Sequence, residues 1–155
     1  MTGRVFVFCS GTNYVYVIDA KTDAIFKKFE VGEASEFPLT NGKGLIYDNI
    51  EGTNEIVVID TKAMDVIKRF SLNPYEGPIS LTMDITNNRL FSVCRKNKIM
   101  VVINAENGNI VDAQPIGAGV DGVTYDPEMH LIISANGEGI STIIHQELVD
   151  KYSVI

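Results

Sequence analysis

The sequence predicts an all-β chain made of repeated four-stranded antiparallel units. Three observations lead there. Four apolar runs end alike: Tyr14–Asp19, Ile56-Val57-Val58-Ile59-Asp60, Ile99–Asn104 and Ser141-Thr142-Ile143-Ile144-His145, with last residues 41, 44 and 41 positions apart. Other residues keep that register. Ile25-Phe26-Lys27-Lys28-Phe29 matches Val66-Ile67-Lys68-Arg69-Phe70, and Thr12-Asn13 recurs as Thr53-Asn54. Val5-Phe6, Ile46-Tyr47, Leu90-Phe91 and Leu131-Ile132 fall into one column. Finally, turn residues punctuate the runs: Asn87-Asn88, Glu106-Asn107-Gly108, Asp126-Pro127 and Asn136-Gly137.

Each unit reads as four strands. The innermost, a, covers residues 79–84 and again 120–126. Strand b is residues 89–94 and its equivalents, c is the Val/Ile run, and d covers residues 25–31 and its equivalents. The c runs are apolar throughout instead of alternating, as expected of a strand covered on both faces. The d runs carry Lys27-Lys28 and Lys68-Arg69, charges that protect an exposed sheet edge from pairing. So c belongs inside the stack and d at its rim. Four-stranded units of about 40–45 residues have the period of β-propeller blades. The blades are expected at about residues 4–32, 35–73, 77–117 and 120–155, in one partial propeller domain. The first lacks its a strand and the last has a clipped d strand, making 15 strands in a little under four blades. A seven-bladed ring at this period needs roughly 290–300 residues. The expectation is therefore about half of a propeller, an open or partial ring that begins and ends inside blades. A complete four-bladed ring is the alternative.

The stretches VYVIDAKTDAIFKKFEVG and EIVVIDTKAMDVIKRFSL, continued by NRLFSVCRKNKIMVVINAENGNIV, resemble the YVTN-type β-propeller repeat. The likeness runs over essentially the whole chain and speaks to fold more than to activity. It implies a family that typically closes seven blades and is usually exported, hence a periplasmic or extracellular location. His145 departs from the pattern, standing where Asp19, Asp60 and Asn104 stand, which puts the turn after that strand in doubt.

Composition narrows the function classes. A chain of 155 residues is about one domain. Its net charge of −7 disfavours nucleic acid, which calls for clustered Lys and Arg. The longest apolar runs are five residues, against about 20 for a membrane span. No signal-peptide pattern opens the chain.

The chemical motifs are sparse. Gly117-Ala118-Gly119-Val120-Asp121-Gly122 satisfies G-x-G-x-x-G, but a strand and turn follow where a dinucleotide site needs a helix. Cys9 and Cys94 take the same slot two blades apart, with Ile50 and Ala135 in the other blades, so both are expected reduced and buried. Asp19, Asp60 and Asn104 recur at strand ends, where such side chains accept backbone hydrogen bonds and set the c–d turn. His130 and His145 lack partners at ligand spacing, so no metal, cofactor or catalytic residue is expected.

The b–c and d–a loops share one face and surround one mouth of the channel. Their candidates for binding are Glu36, Glu51, Glu76, Arg95, Asp121 and Asn136. A non-catalytic binding or scaffold module follows, acting through rim and channel on a protein or small-molecule ligand. The rival reading is part of a lactonase-like or dehydrogenase-like propeller enzyme, with a metal or cofactor at the channel mouth. The complete a strands share no acidic column, which favours binding. The open blade ends predict self-association.

Overall fold

A computed structural model describes residues 3–155. The 15 strands form four antiparallel sheets in chain order. The first has three strands, β1 (Arg4–Phe8), β2 (Tyr14–Asp19) and β3 (Ile25–Glu30). The second holds β4 (Ser35–Thr40), β5 (Leu45–Ile50), β6 (Glu55–Asp60) and β7 (Asp65–Ser71). The third holds β8 (Pro78–Asp84), β9 (Arg89–Cys94), β10 (Ile99–Asn104) and β11 (Ile110–Pro115). The fourth holds β12 (Val120–Asp126), β13 (Leu131–Asn136), β14 (Ile140–Leu148) and β15 (Lys151–Val154). Each sheet is a meander, and no helix occurs among the described residues.

The core lies in the three seams between successive sheets. The apolar c runs are explained by it. On β6, Val57 and Ile59 enter the first seam while Ile56 and Val58 enter the second. On β10, Val101 and Ile103 enter the second seam while Met100 and Val102 enter the third. A strand whose two faces are both buried has no polar positions to alternate with. Phe91 fills the third seam, with ring centroids 5.4 Å from Tyr125 and 5.8 Å from Tyr152. The outer strands β3 and β7 are largely exposed.

The Asp/Asn column acts as turn chemistry predicts. Asp60 Oδ1 accepts the Lys62 and Ala63 amides at 2.7 and 2.8 Å, Asp19 Oδ1 accepts Lys21 N–H at 2.9 Å, and Asn104 Oδ1 accepts Glu106 N–H at 2.9 Å. These backbone donors hold the Asp19 and Asp60 carboxyls below the usual carboxylate range. At His145 no such turn forms. Strand β14 runs on to Leu148 before the chain reverses.

One register differs from the sequence reading. Ile103 of β10 lies opposite Leu90, but its equivalent on β14, Ile144, lies opposite Ile132. Leu131 therefore aligns with Arg89 and not with Leu90. The cause is the loop before β14. Residues 137–139 span the same turn that residues 95–98 span in the third sheet, one residue fewer. Gly139 takes φ +89°, open only to glycine without strain. Two consequences follow. Asn136, not Ala135, occupies the slot of Cys9, Ile50 and Cys94, and it is buried while Ala135 is exposed. Cys94 is also buried, but Cys9 is only partly so, because among the described residues no sheet packs on its side of the first sheet. Both thiols are free, and burial pushes Cys94 up to about 12.

Candidate functional site

The mouth formed by the b–c and d–a loops is held by a repeated main-chain lattice. Glu51 N–H donates to Ala34 O at 2.9 Å, Arg95 N–H to Gly77 O at 2.8 Å, and Gly137 N–H to Gly119 O at 2.9 Å. Each bond ties the b–c loop of one sheet to the loop that enters it. The accepting residues all have positive φ, at 57°, 69° and 66°. Gly52 and Gly137 sit so close that an added Cβ would lie 2.8 and 2.9 Å from the facing carbonyls of Glu33 and Gly119. Rim side chains thus project from a fixed frame. The loop of the G-x-G-x-x-G match is part of this frame. It leads from β11 directly into β12, with Gly119 at the left-handed position.

The six candidate residues meet different fates there. Arg95 reaches Asp121 at 2.7 Å and also donates to Val120 O at 3.0 Å. Glu76 lies 3.8 Å from Lys96, and its amide donates to Asn97 Oδ1. Asn136 turns inward, donating to Thr142 Oγ1 at 3.0 Å behind a loop braced by Glu138, which accepts Ala118 N–H at 2.8 Å. Glu36 and Glu51 make no side-chain hydrogen bond or ion pair among the described residues. The structure therefore joins Arg95 with Asp121 and leaves the Glu36 and Glu51 carboxylates without a side-chain partner among the described residues. Among the described residues, no three His, Cys, Asp or Glu side chains gather as a metal-holding group.

The densest polar chemistry lies on the opposite face, where sequence reasoning placed nothing. Gln146, buried in the third seam, donates from Nε2 to Asp84 Oδ2 at 3.2 Å. A carboxylate only accepts, so the amide orientation is set and Oε1 must face Tyr125. Tyr125 O–H donates to Oε1 at 2.6 Å. Having spent its proton, the Tyr125 oxygen accepts from His130 Nδ1 at 3.3 Å. Tyr152 O–H donates to Val149 O at 2.6 Å and accepts from Gln146 Nε2 at 3.3 Å. Arg89 closes the edge with two bonds to Asp150, at 2.6 and 3.1 Å. Burial, with the nearby Asp84 charge, pushes the Tyr125 phenol up to about 12. Burial alone would raise Asp84, but bonds from Asn87, Gln146 and Thr86 leave its carboxyl below the ordinary range. Gln146 takes the position of Ala20, Thr61 and Ala105 in the other units, immediately after the column that His145 breaks. That break was the one signal pointing here.

The cavities also lie away from the rim candidates. One of about 680 Å³ opens beside the first seam between Phe6, Phe8, Leu39 and Ile46. Smaller ones of about 270 and 230 Å³ lie at the second and third seams.

Comparison with known proteins gives a fold and no family. No family model matches the chain, and no curated protein does. Solved structures match closely at low identity. The WD40 β-propeller domain of Doa1 superposes with a TM-score of 0.78 at 13% identity, covering 94% of this chain and 48% of that one. A chain of the mitotic checkpoint complex gives 0.82 at 10% identity, covering 99% and 48%. Hydrazine synthase of Kuenenia stuttgartiensis gives 0.79 at 15% identity, covering 99% and 46%. The chain spans about half the length of these structures. Four radial sheets in meander order, superposing on half a ring, establish β-propeller blades in an open ring.

Proposed function

We propose that the chain is a non-catalytic binding or scaffold module of the YVTN repeat type, engaging its partner through the rim. The observation that carries this reading is the rim itself, a main-chain lattice that spends backbone groups on holding loops and leaves side chains to project. Those side chains are acidic in excess: Glu33, Glu36, Glu51, Glu76, Asp121 and Glu138 face only Arg95, Lys96 and Lys98. Complementary charge steers encounter and selects partners, so a partner offering a basic segment fits this face. The fold neighbours include a WD40 propeller domain and a chain of a protein assembly, which agrees with a scaffold role at this coarse level. Export to the periplasm or the cell exterior belongs to the same proposal, and fractionation of the producing cell checks it.

Selection of displayed random peptides on the native chain tests the binding reading. Lys/Arg-rich sequences should enrich on it and fail to enrich on a Glu36→Lys/Glu51→Lys chain. Enrichment indifferent to those two charges would overturn the assignment of the rim.

A further inference from the structure

Strand β5 presents Ile46, Asp48 and Ile50 to the first seam, so a carboxyl group stands in a row of apolar positions. Asp48 is fully buried. Among the described residues it receives one hydrogen bond, from Ser35 Oγ to Oδ2 at 2.7 Å, while Oδ1 has no partner. Its surroundings are hydrocarbon: Val57 directly across on β6, with Val15 and Val17 of β2 and the partly buried Phe6 and Phe8 of β1 in the same cluster.

Among the described residues no cation compensates. Arg4 is bound to Asp19, Lys27 to the Ala63 carbonyl and Asp65, and Arg69 to Glu55 and the Val31 carbonyl. The charge that reaches Asp48 is Glu36 on β4, of the same sign. In the third and fourth sheets the equivalent positions hold Ser92 and Ser134, neutral groups with partners of their own.

A carboxylate with one donor, one bare oxygen and no counter-ion is a poor fit to such a seam, whereas the protonated acid is a tolerable one. We propose that Asp48 is a proton-operated latch between the first two sheets, which closes the seam when protonated and loosens it when ionised. Burial, opposed by the Ser35 bond and reinforced by Glu36, supports this by pushing the carboxyl from 3.8 to about 7.

The sign is fixed by linkage. The closed seam keeps a proton that the opened seam releases. Opening therefore becomes easier as pH rises from about 4, and levels off above about 7. Between pH 5 and 7 the opening equilibrium should shift about 50-fold.

Amide hydrogen exchange on the full 155-residue chain reads this directly, expressed as protection factors at each pH. Protection of β5 and β6 should fall about 50-fold from pH 5 to 7 relative to β12 and β13. Asp48→Asn should flatten that dependence, and so should Asp48→Ser, which copies the third and fourth sheets. A carboxyl ¹³C titration of the unmodified chain supplies a readout needing no variant, with a midpoint expected near neutrality. A midpoint below pH 5, or a pH dependence that survives both substitutions, would overturn the latch.

Discussion

Replacing Gln146 by leucine tests whether the third seam is held by its polar network or by apolar packing alone. Leucine keeps much of the volume and removes the amide. Tyr125 loses its 2.6 Å acceptor, and Asp84 loses a donor at 3.2 Å while keeping Asn87 Nδ2 at 2.6 Å and the Thr86 and Asn87 amides. Tyr152 keeps its bond to Val149 O. A neutral hydrogen bond nets about 1 kcal/mol, and one to a charged group about 1.5–3 kcal/mol. Because Asp84 retains three donors, the lower part of that range applies, and the expected loss is about 2–3 kcal/mol. At this chain length that lowers the melting temperature by about 5–10 °C. Urea denaturation should show a lower midpoint at an unchanged m-value. A double-mutant cycle with Tyr125→Phe should then return about 1 kcal/mol of coupling. Stability within about 0.5 kcal/mol of the parent would refute the reasoning, since it would mean water satisfies these groups equally well.

Other outcomes follow from single positions. Gly108→Ala should cost about 2 kcal/mol or more by urea denaturation, because Gly108 has φ +80° and an added Cβ would lie 2.2 Å from Phe70 Cδ1. With a bulky thiol reagent, partly exposed Cys9 should react first and Cys94 only on unfolding, so simultaneous labelling of both would contradict the burial described. Neutral His130 should carry its proton on Nδ1, and ¹⁵N imidazole shifts showing the Nε2–H tautomer would break the donor order through Tyr125. The isolated 155-residue chain should self-associate through the unpaired edge of β1 and the exposed apolar residues Val5, Ile25 and Ile155. Light scattering over a concentration series that finds only a ~17 kDa species would contradict this.

The architecture was legible because it is written many times. A strand buried on both faces must be apolar without alternation, so β6 and β10 announce themselves, and their spacing gives the period. The Asp/Asn column was legible for a similar reason, since Asp19 and Asp60 perform the same local task and local tasks leave local signatures. The slip at Leu131 was not legible. Shortening one loop by a residue exchanges the two faces of a strand, yet Leu131-Ile132-Ile133 is apolar in either register. Only pairing with Ile144 separates them, and that pairing is made in three dimensions.

The candidate rim and the actual polar seam differ in kind for the same reason. Loop charges can be assigned to a face from strand direction alone, which places Glu36, Glu51 and Arg95 without saying what they touch. The Gln146 network needs residues 84, 89, 125, 130, 146, 150 and 152 to meet, and no spacing connects them. Asp48 makes the point more sharply. In the sequence Asp48-Asn49 is a polar pair set between Leu45-Ile46-Tyr47 and Ile50, and nothing in that spacing says what covers either side chain. What makes Asp48 chemically exceptional is the sheet placed against it, whose Val15 and Val17 exclude water while offering neither donor nor cation. Repetition encodes the scaffold, and departures from repetition, at Asp48 and at Gln146, are where the seams stop being interchangeable. Exchanging the two seams' polar residues should therefore not be neutral. Asp48→Ser should make the first seam resemble the second, whereas serine at 146 has no counterpart for the Asp84 and Tyr125 groups already aimed at it.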